Sequence, residues 1–183
     1  YPNLINREAV KSYIDVTFET YLNSIDNFEE IVEAIFDDEP YLTATRHTAD
    51  ASEKYPAIPY DYDIFDTFKA KYGYDIVPLL PLVFNSFEPE AQRARAQYFS
   101  HVGDLFCESF FEQIAQWCRA HNTILSGHLL LEEEMKYHIP VHGDYIQCSH
   151  RMGYPGFDIL NPRPAKYIEG ISTGAKYASI PAW

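Results

Sequence analysis

Acidic residues cluster at two places where an apolar run of the sequence ends. In the segment FDDEP, Asp37, Asp38 and Glu39 stand side by side, and SGHLLLEEE supplies Glu132 and Glu133. Neighbouring carboxyl groups raise one another's pKa and cost stability, so such clusters need a reason. One reason is glycosidic bond cleavage, in which one carboxyl group protonates the leaving oxygen and a second activates water or attacks the sugar.

Three further residues could contact a sugar. Asp158 lies in a third apolar segment, GFDIL, and Tyr41 follows the first acidic cluster, where its ring could stack on a sugar face. His128 ends TILSGH beside a glycine and could donate a hydrogen bond to a sugar hydroxyl. Structural roles stay open for two of them, since Asp158 could cap the following segment and His128 could be a satisfied structural histidine.

The acidic clusters also have simpler explanations. Asp38 and Glu39 precede a proline and could form a turn, while Glu133 could belong to a solvated helix start, where the helix dipole favours acids. Calcium is another explanation, because it takes oxygen ligands from carboxylates and carbonyls. Zinc is not expected, because a proline separates His138 from His142 and no HExxH motif is present.

The elements that would position these residues alternate between helix and strand. Apolar spacing predicts helices over 8–25 and 88–120 and a shorter helix in DIFDTFKAKYG, with Gly73 at its C-terminal cap. Three segments rich in β-branched or aromatic residues, IVEAIF, TILSGH and GFDIL, predict strands. The remaining predictions are a polar loop over 43–60, an ordered connector in GYDIVPLLPLVF, a short helix over 146–152 and a weak helix in AKYIEGISTGAKYAS.

This alternation predicts parallel strands joined by crossover helices, which is the α/β fold class. Active sites of such folds lie at the carboxyl ends of the strands, where the acidic clusters stand. Three strands cannot close a barrel, and a (β/α)₈ barrel typically needs about 250 residues. We therefore expect residues 1–183 to be either a small open sheet or a single segment of a longer chain.

Composition excludes several classes of protein. The 183 residues carry 27 acidic and 14 basic side chains, a formal net charge of −13, which argues against binding to nucleic acid or to an anionic membrane surface. No apolar run is long enough to span a bilayer, and no signal peptide is visible at the start. The location stays open, with a secreted or periplasmic protein preferred to a cytoplasmic one.

Four blocks of the sequence, FDDEP, WCRAHN, SGHLLLEEE and YPGFDIL, resemble the central part of large bacterial glycoside hydrolases in order and approximate spacing. The nearest group is glycoside hydrolase family 106, the α-L-rhamnosidases. The resemblance extends over roughly residues 10–180 and implies a (β/α)₈ catalytic barrel, a TIM barrel, of which this chain would hold about three strands. The remainder of the barrel and accessory β-domains would belong to the full-length protein.

The same resemblance implies an inverting glycosidase that acts on an oligosaccharide or glycoside, with calcium at the sugar site. Carried over by position, Glu39 would be the general acid and Glu132 the general base, with Glu133 as the alternative base. We expect burial and neighbouring acids to keep Glu39 protonated near neutral pH, and Glu132 to stay ionised in a wetter position. The residues expected to contact substrate are Asp37, Tyr41, His128, Glu133 and Asp158.

Two alternatives from other functional classes accompany this prediction. The first is a non-catalytic carbohydrate-binding or scaffold domain, which would keep the acids and tyrosines but lack a matched acid and base. The second is a metal-dependent hydrolase that uses Asp37, Glu39 and Asp158 as ligands.

Overall fold

The computed structural model describes residues 2–42, 57–85, 88–132 and 135–158. Helices and strands alternate within these ranges, which confirms the α/β class. The regular elements are α1 (Arg7–Ser24), α2 (Phe28–Ile31), β1 (Ala34–Asp38), α3 (Ile64–Tyr72), α4 (Leu80–Asn85), α5 (Pro89–Phe106), α6 (Gln113–Ala120), β2 (Ile124–His128), α7 (Met135–Tyr137), α8 (Tyr145–Ser149) and β3 (Tyr154–Pro155). A 3₁₀ turn at Val77–Leu79 and π-helical segments at Cys107–Glu112 and His138–His142 complete the order.

The three strands form one parallel sheet in the order β1-β2-β3, as the sequence predicts. β1 pairs with β2 from Ala34 opposite Ile124 to Asp38 opposite His128. The first predicted strand, IVEAIF, is displaced, because its first residue ends helix α2 and β1 continues through the acids. Asp37 and Asp38 are thus part of the strand, and only Glu39 follows it.

The third strand is also displaced from its prediction. It consists of Tyr154–Pro155, which pair with Ser126 and Gly127 of β2. Residues 156–158 of GFDIL follow this strand rather than forming it, and residues 159 and 160 lie outside the described residues. After the strand, Gly156 donates its N–H to the Gly127 carbonyl of β2.

The long helices agree with the sequence prediction. The stretch over 89–120 is continuously helical, with its π-helical segment in the middle, and Gly73 ends α3 at a φ of 79°. The segment GYDIVPLLPLVF is more regular than the predicted connector, because a 3₁₀ turn and helix α4 occupy it. Its prolines stand in first turns, where a helix does not need their missing N–H. The loop predicted over 43–60 is described only from residue 57, and the weak helix in AKYIEGISTGAKYAS lies outside the described residues.

Helices cover one face of the sheet. Leu125 and Leu129 are buried in a core with side chains of α1, α5 and α6, including Phe18 and Phe106. On the other face, Phe36 is 60% exposed within the described part of the chain. Parallel sheets are normally covered on both faces, but the described residues leave the β1 part of this face open. None of the described helices is long and apolar enough to cross a membrane.

Gly127 allows β1 and β2 to approach closely at the end of the sheet. A β-carbon at this position would lie 2.2 Å from the carbonyl oxygen of Asp37, closer than any real contact. Its φ of 149° is also one that residues with a side chain rarely adopt. The glycine of SGH therefore fixes the distance between the two strand ends that carry the acids.

Candidate active site at the carboxyl ends of the strands

One imidazole joins the two acidic strand ends. His128 Nε2 lies 2.8 Å from Asp38 Oδ1, and His128 Nδ1 lies 3.2 Å from Glu132 Oε1. This is a consequence of register, because Asp38 and His128 are direct partners on neighbouring parallel strands and project from the same face. The parallel register thus places an Asp-His-Glu chain at the carboxyl edge of the sheet.

Glu132 is buried, with only 2% of its surface exposed. Its Oε1 accepts a second hydrogen bond, 2.7 Å long, from the backbone N–H of Asp158. The wetter position that we expected for this carboxylate is therefore wrong, because the segment after β3 closes over it. The arrangement holds Glu132 firmly and uses it to orient His128.

The pKa of His128 reflects competing influences. Burial lowers it, but the carboxylates of Glu132 and Asp38 outweigh burial, so the pKa lies above its ordinary value. The protonated ring donates from both nitrogens, which satisfies both acids at once.

Glu39 occupies a strained position directly after β1. Its φ is 51°, in the left-handed region that residues with a side chain seldom adopt, and its N–H donates to the His128 carbonyl at 3.2 Å. Leu131, immediately before Glu132, has a similar φ of 60°. Strained backbone often marks functional positions, and here it accompanies both predicted catalytic glutamates.

A cavity of about 480 Å³ lies beside the end of β1. Asp37, Asp38, Glu39 and Tyr41 form part of its wall. Neither His128 nor Glu132 is among the described residues that line it. The remainder of the wall comes mainly from the N-terminal segment and the chain before α3, including Asn3, Ile5, Tyr13, Pro59, Tyr60 and Phe110.

Asp37 is the carboxyl group at this edge whose pKa is raised, to about 6. Burial is the main cause, and the charge of Asp38 adds to it, while a backbone hydrogen bond from Asp38 lowers the pKa by less. Its Oδ2 is buried and has no hydrogen-bond partner among the described residues. A carboxyl pKa raised by burial and by a neighbouring acid is the property that we expected of Glu39.

The other predicted site residues occupy varied positions. Tyr41 lines the cavity, and Asp158 contacts the cluster through its backbone N–H. Glu133 lies outside the described residues. The residue missing from our predicted substrate contacts is Asp38, which is bonded to His128. The alignment of FDDEP with SGH in a parallel register would have identified it.

The described ranges contain no group of three His, Cys, Asp or Glu side chains arranged to hold a metal ion. His138 and His142 instead bond the carbonyls of Glu132 and Leu130, at 2.7 and 2.8 Å, and so hold the segment that follows β2. No grouping of carboxylates among the described residues supports the predicted calcium, which stays a prediction. No chemical step is therefore assigned to calcium.

No protein-family model matches the chain, and no curated protein matches its sequence. The resemblance to glycoside hydrolase family 106 therefore rests on the four sequence blocks alone. Any function has to be argued from the geometry of the carboxyl edge and the adjoining cavity.

Proposed function

We propose that the chain is part of an O-glycosyl hydrolase and that the carboxyl edge of its sheet forms one wall of the active site. The observation that supports this most directly is the chain of contacts from Asp38 through His128 to Glu132. It gathers carboxylates from two strand ends beside the cavity that Glu39 lines. Carboxyl groups on two sides of a glycosidic bond are what hydrolysis of that bond requires.

The sheet topology supports a partial (β/α)₈ barrel as the setting. Consecutive strands are neighbours, and the helix-packed core formed by the described residues lies on one face of the sheet. In a barrel, every strand neighbours the next, the helices form the outer ring, and the other face points into the interior. The open face that carries Phe36 and Asp38 would then face the barrel interior, completed by strands of a longer protein.

In the proposed reaction, the carboxyl group of Glu39 gives its proton to the glycosidic oxygen as the bond from that oxygen to the anomeric carbon breaks. Glu132 accepts a proton from a water molecule, whose oxygen forms the new bond to the anomeric carbon from the opposite side. The product is inverted, and the two carboxyl groups should lie roughly 6.5–9.5 Å apart.

A carbohydrate-binding domain is the second candidate. The burial of Glu132 favours it, because the contacts of Glu132 Oε1 with His128 and with the Asp158 N–H are those of a carboxylate that orients a histidine. The metal-dependent alternative has no such support, since Asp37, Glu39 and Asp158 do not form a metal-ligand group in the described structure.

The test compares Glu39→Gln, Glu132→Gln and Asp37→Asn on aryl glycosides with good and poor leaving groups. Glu39→Gln should lose about 10²–10⁴-fold on poor leaving groups and far less on activated ones, because only poor leaving groups need the proton. Glu132→Gln should lose activity on both substrate classes. NMR of the first product that the wild-type chain releases should show inversion. Glu30→Gln, at an exposed position on α2, is the matched control.

Three outcomes contradict parts of this proposal. Equal losses on both substrate classes would remove Glu39 from the acid role. The selective loss in Asp37→Asn instead would assign the acid to Asp37, whose pKa of about 6 suits it. Sugar binding without hydrolysis of any glycoside by the wild-type chain would support the binding domain.

A further inference from the structure

The cavity beside Glu39 combines aromatic walls with carboxyl groups at one end. Its volume of about 480 Å³ falls within the range of small-molecule sites. Most of the lining is apolar, and its rings come from Tyr13, Tyr41, Tyr60 and Phe110. Flat apolar surfaces with a few polar groups at one end are how proteins hold sugars and aryl groups.

The position of the cavity relative to the proposed catalytic groups indicates which part of the substrate it binds. A general acid has to lie within hydrogen-bond reach of the leaving oxygen. Glu39 lines the cavity, whereas His128 and Glu132 are not among its described lining residues. The leaving group therefore lies on the cavity side of Glu39, and the sugar that is attacked lies toward His128.

We propose that this cavity is the leaving-group subsite and that it takes a neutral group with a flat apolar face. This inference rests on the proposed glycosidase function for its orientation. Both an aryl aglycone and the C–H face of a second sugar have the required chemistry. An anionic leaving group does not fit, because the wall already carries Asp37, Asp38 and Glu39.

Tyr60 is the ring best placed to stack on such a group. It lines the cavity and is 54% exposed, and its ring contacts Phe65 at a centroid distance of 5.7 Å. Its backbone is held before any ligand arrives. Asn3 Nδ2 donates to the Tyr60 carbonyl at 3.1 Å, and the Tyr98 hydroxyl donates to the Pro59 carbonyl at 2.5 Å. A preformed stacking surface loses little freedom on binding.

Tyr62 supplies a matched control two residues away. It is 91% exposed and is not among the lining residues, although its ring lies 6.5 Å from that of Tyr60. Substituting either tyrosine by alanine removes one phenol ring from the same segment. Only Tyr60→Ala should alter the cavity.

The experiment measures binding calorimetrically with probes that are not hydrolysed, 4-nitrophenyl and methyl 1-thio-α-L-rhamnoside. The sugar-free probe is 4-nitrophenol, and the buffer is acidic enough to keep it uncharged. Tyr60→Ala should bind both nitrophenyl probes about tenfold more weakly, the loss expected for one aromatic contact, and the methyl glycoside nearly as well as wild type. Tyr62→Ala should bind all three as wild type does. A disaccharide thioglycoside distinguishes a second sugar from an aryl group as the preferred occupant.

The proposal is overturned if Tyr60→Ala binds the nitrophenyl probes as wild type does, or if it loses affinity equally for the methyl glycoside. Failure of the wild-type chain to bind any probe would overturn it as well. Failure of the glycosidase function is a separate result, because 4-nitrophenol binding that depends on Tyr60 would persist without hydrolysis of any O-glycoside. Circular dichroism of both variants establishes that they remain folded.

Discussion

The two acidic strand ends of this protein differ in how tightly they are held. At the end of β2, His128 and Glu132 are buried and hydrogen-bonded to each other. At the end of β1, the Asp38 side chain is 76% exposed, Glu39 adopts a left-handed backbone, and Asp37 keeps a buried oxygen without a described partner. One end is closed and its side chains are hydrogen-bonded, and the other is open and keeps a carboxyl oxygen without a described partner.

This difference indicates a division of tasks. A buried polar group that is fully bonded rigidifies its surroundings, whereas strained and unsatisfied groups store energy that a ligand can relieve. The β2 end therefore holds His128 and Glu132 in fixed positions, and the β1 end is prepared to contact substrate. His128 connects them, because its Nδ1 atom contacts Glu132 and its Nε2 atom contacts Asp38.

The largest expected effect comes from the close backbone contact between Gly127 of β2 and Asp37 of β1. Gly127→Ala should cost more than about 4 kcal/mol of unfolding free energy, because its β-carbon would overlap the Asp37 carbonyl. Gly73→Ala is the control, since it shares a positive φ but has open space around it. It should cost only about 1 kcal/mol. Similar losses in urea denaturation for the two variants would disprove the close approach.

The next effect separates the closed end from the open one. Glu132→Ala should cost about 3 kcal/mol, because it leaves the buried His128 ring and the Asp158 N–H without their shared acceptor. Asp38→Ala should cost less than about 1 kcal/mol, because its side chain is mostly exposed. Equal costs in chemical denaturation would show that the ends are held alike.

A pH dependence of stability should arise from Asp37. Its folded pKa of about 6 lies above the unfolded value of 3.8, so the folded state binds more protons between those values, and stability falls as pH rises through them. The loss should approach about 3 kcal/mol above pH 6. Asp37→Asn should remove this fall, equal wild type near pH 4 and be more stable at pH 7. Parallel stability curves for both proteins from pH 4 to 7 would contradict the shift.

The smallest effect tests the strain at Glu39. Glu39→Gly should be about 1 kcal/mol more stable than Glu39→Ala, because glycine adopts the observed φ of 51° without the penalty that a β-carbon brings. Thermal unfolding of the two variants measures the difference, and both lack the carboxyl group, so its loss cancels. Equal melting temperatures would mean that Glu39 is not strained.

Local sequence patterns predicted the helices well and the strands only approximately. Helix 8–25 and the stretch over 88–120 have apolar periodicity over several turns, which leaves little freedom in their placement. The strands are short, and only pairing fixes their limits. β1 therefore shifted to include Asp37 and Asp38, where they pair with Gly127 and His128.

The candidate site could be predicted in its composition but not in its contacts. The sequence placed FDDEP and SGHLLLEEE at the ends of neighbouring strands, and the structure agrees. It did not indicate that Glu132 would be buried or that Asp38 would bond His128. Burial depends on which distant segment covers a residue, here the backbone of Asp158, 26 positions away.

By itself, the sequence determined the α/β alternation, the approximate limits of the long helices and the presence of acids at two strand ends, because these follow from local periodicity and composition. Tertiary structure alone decided the strand register, the burial of Glu132 and the pKa of Asp37. The physical reason is that burial and charge proximity are set by contacts between residues far apart in the chain, which no local pattern encodes.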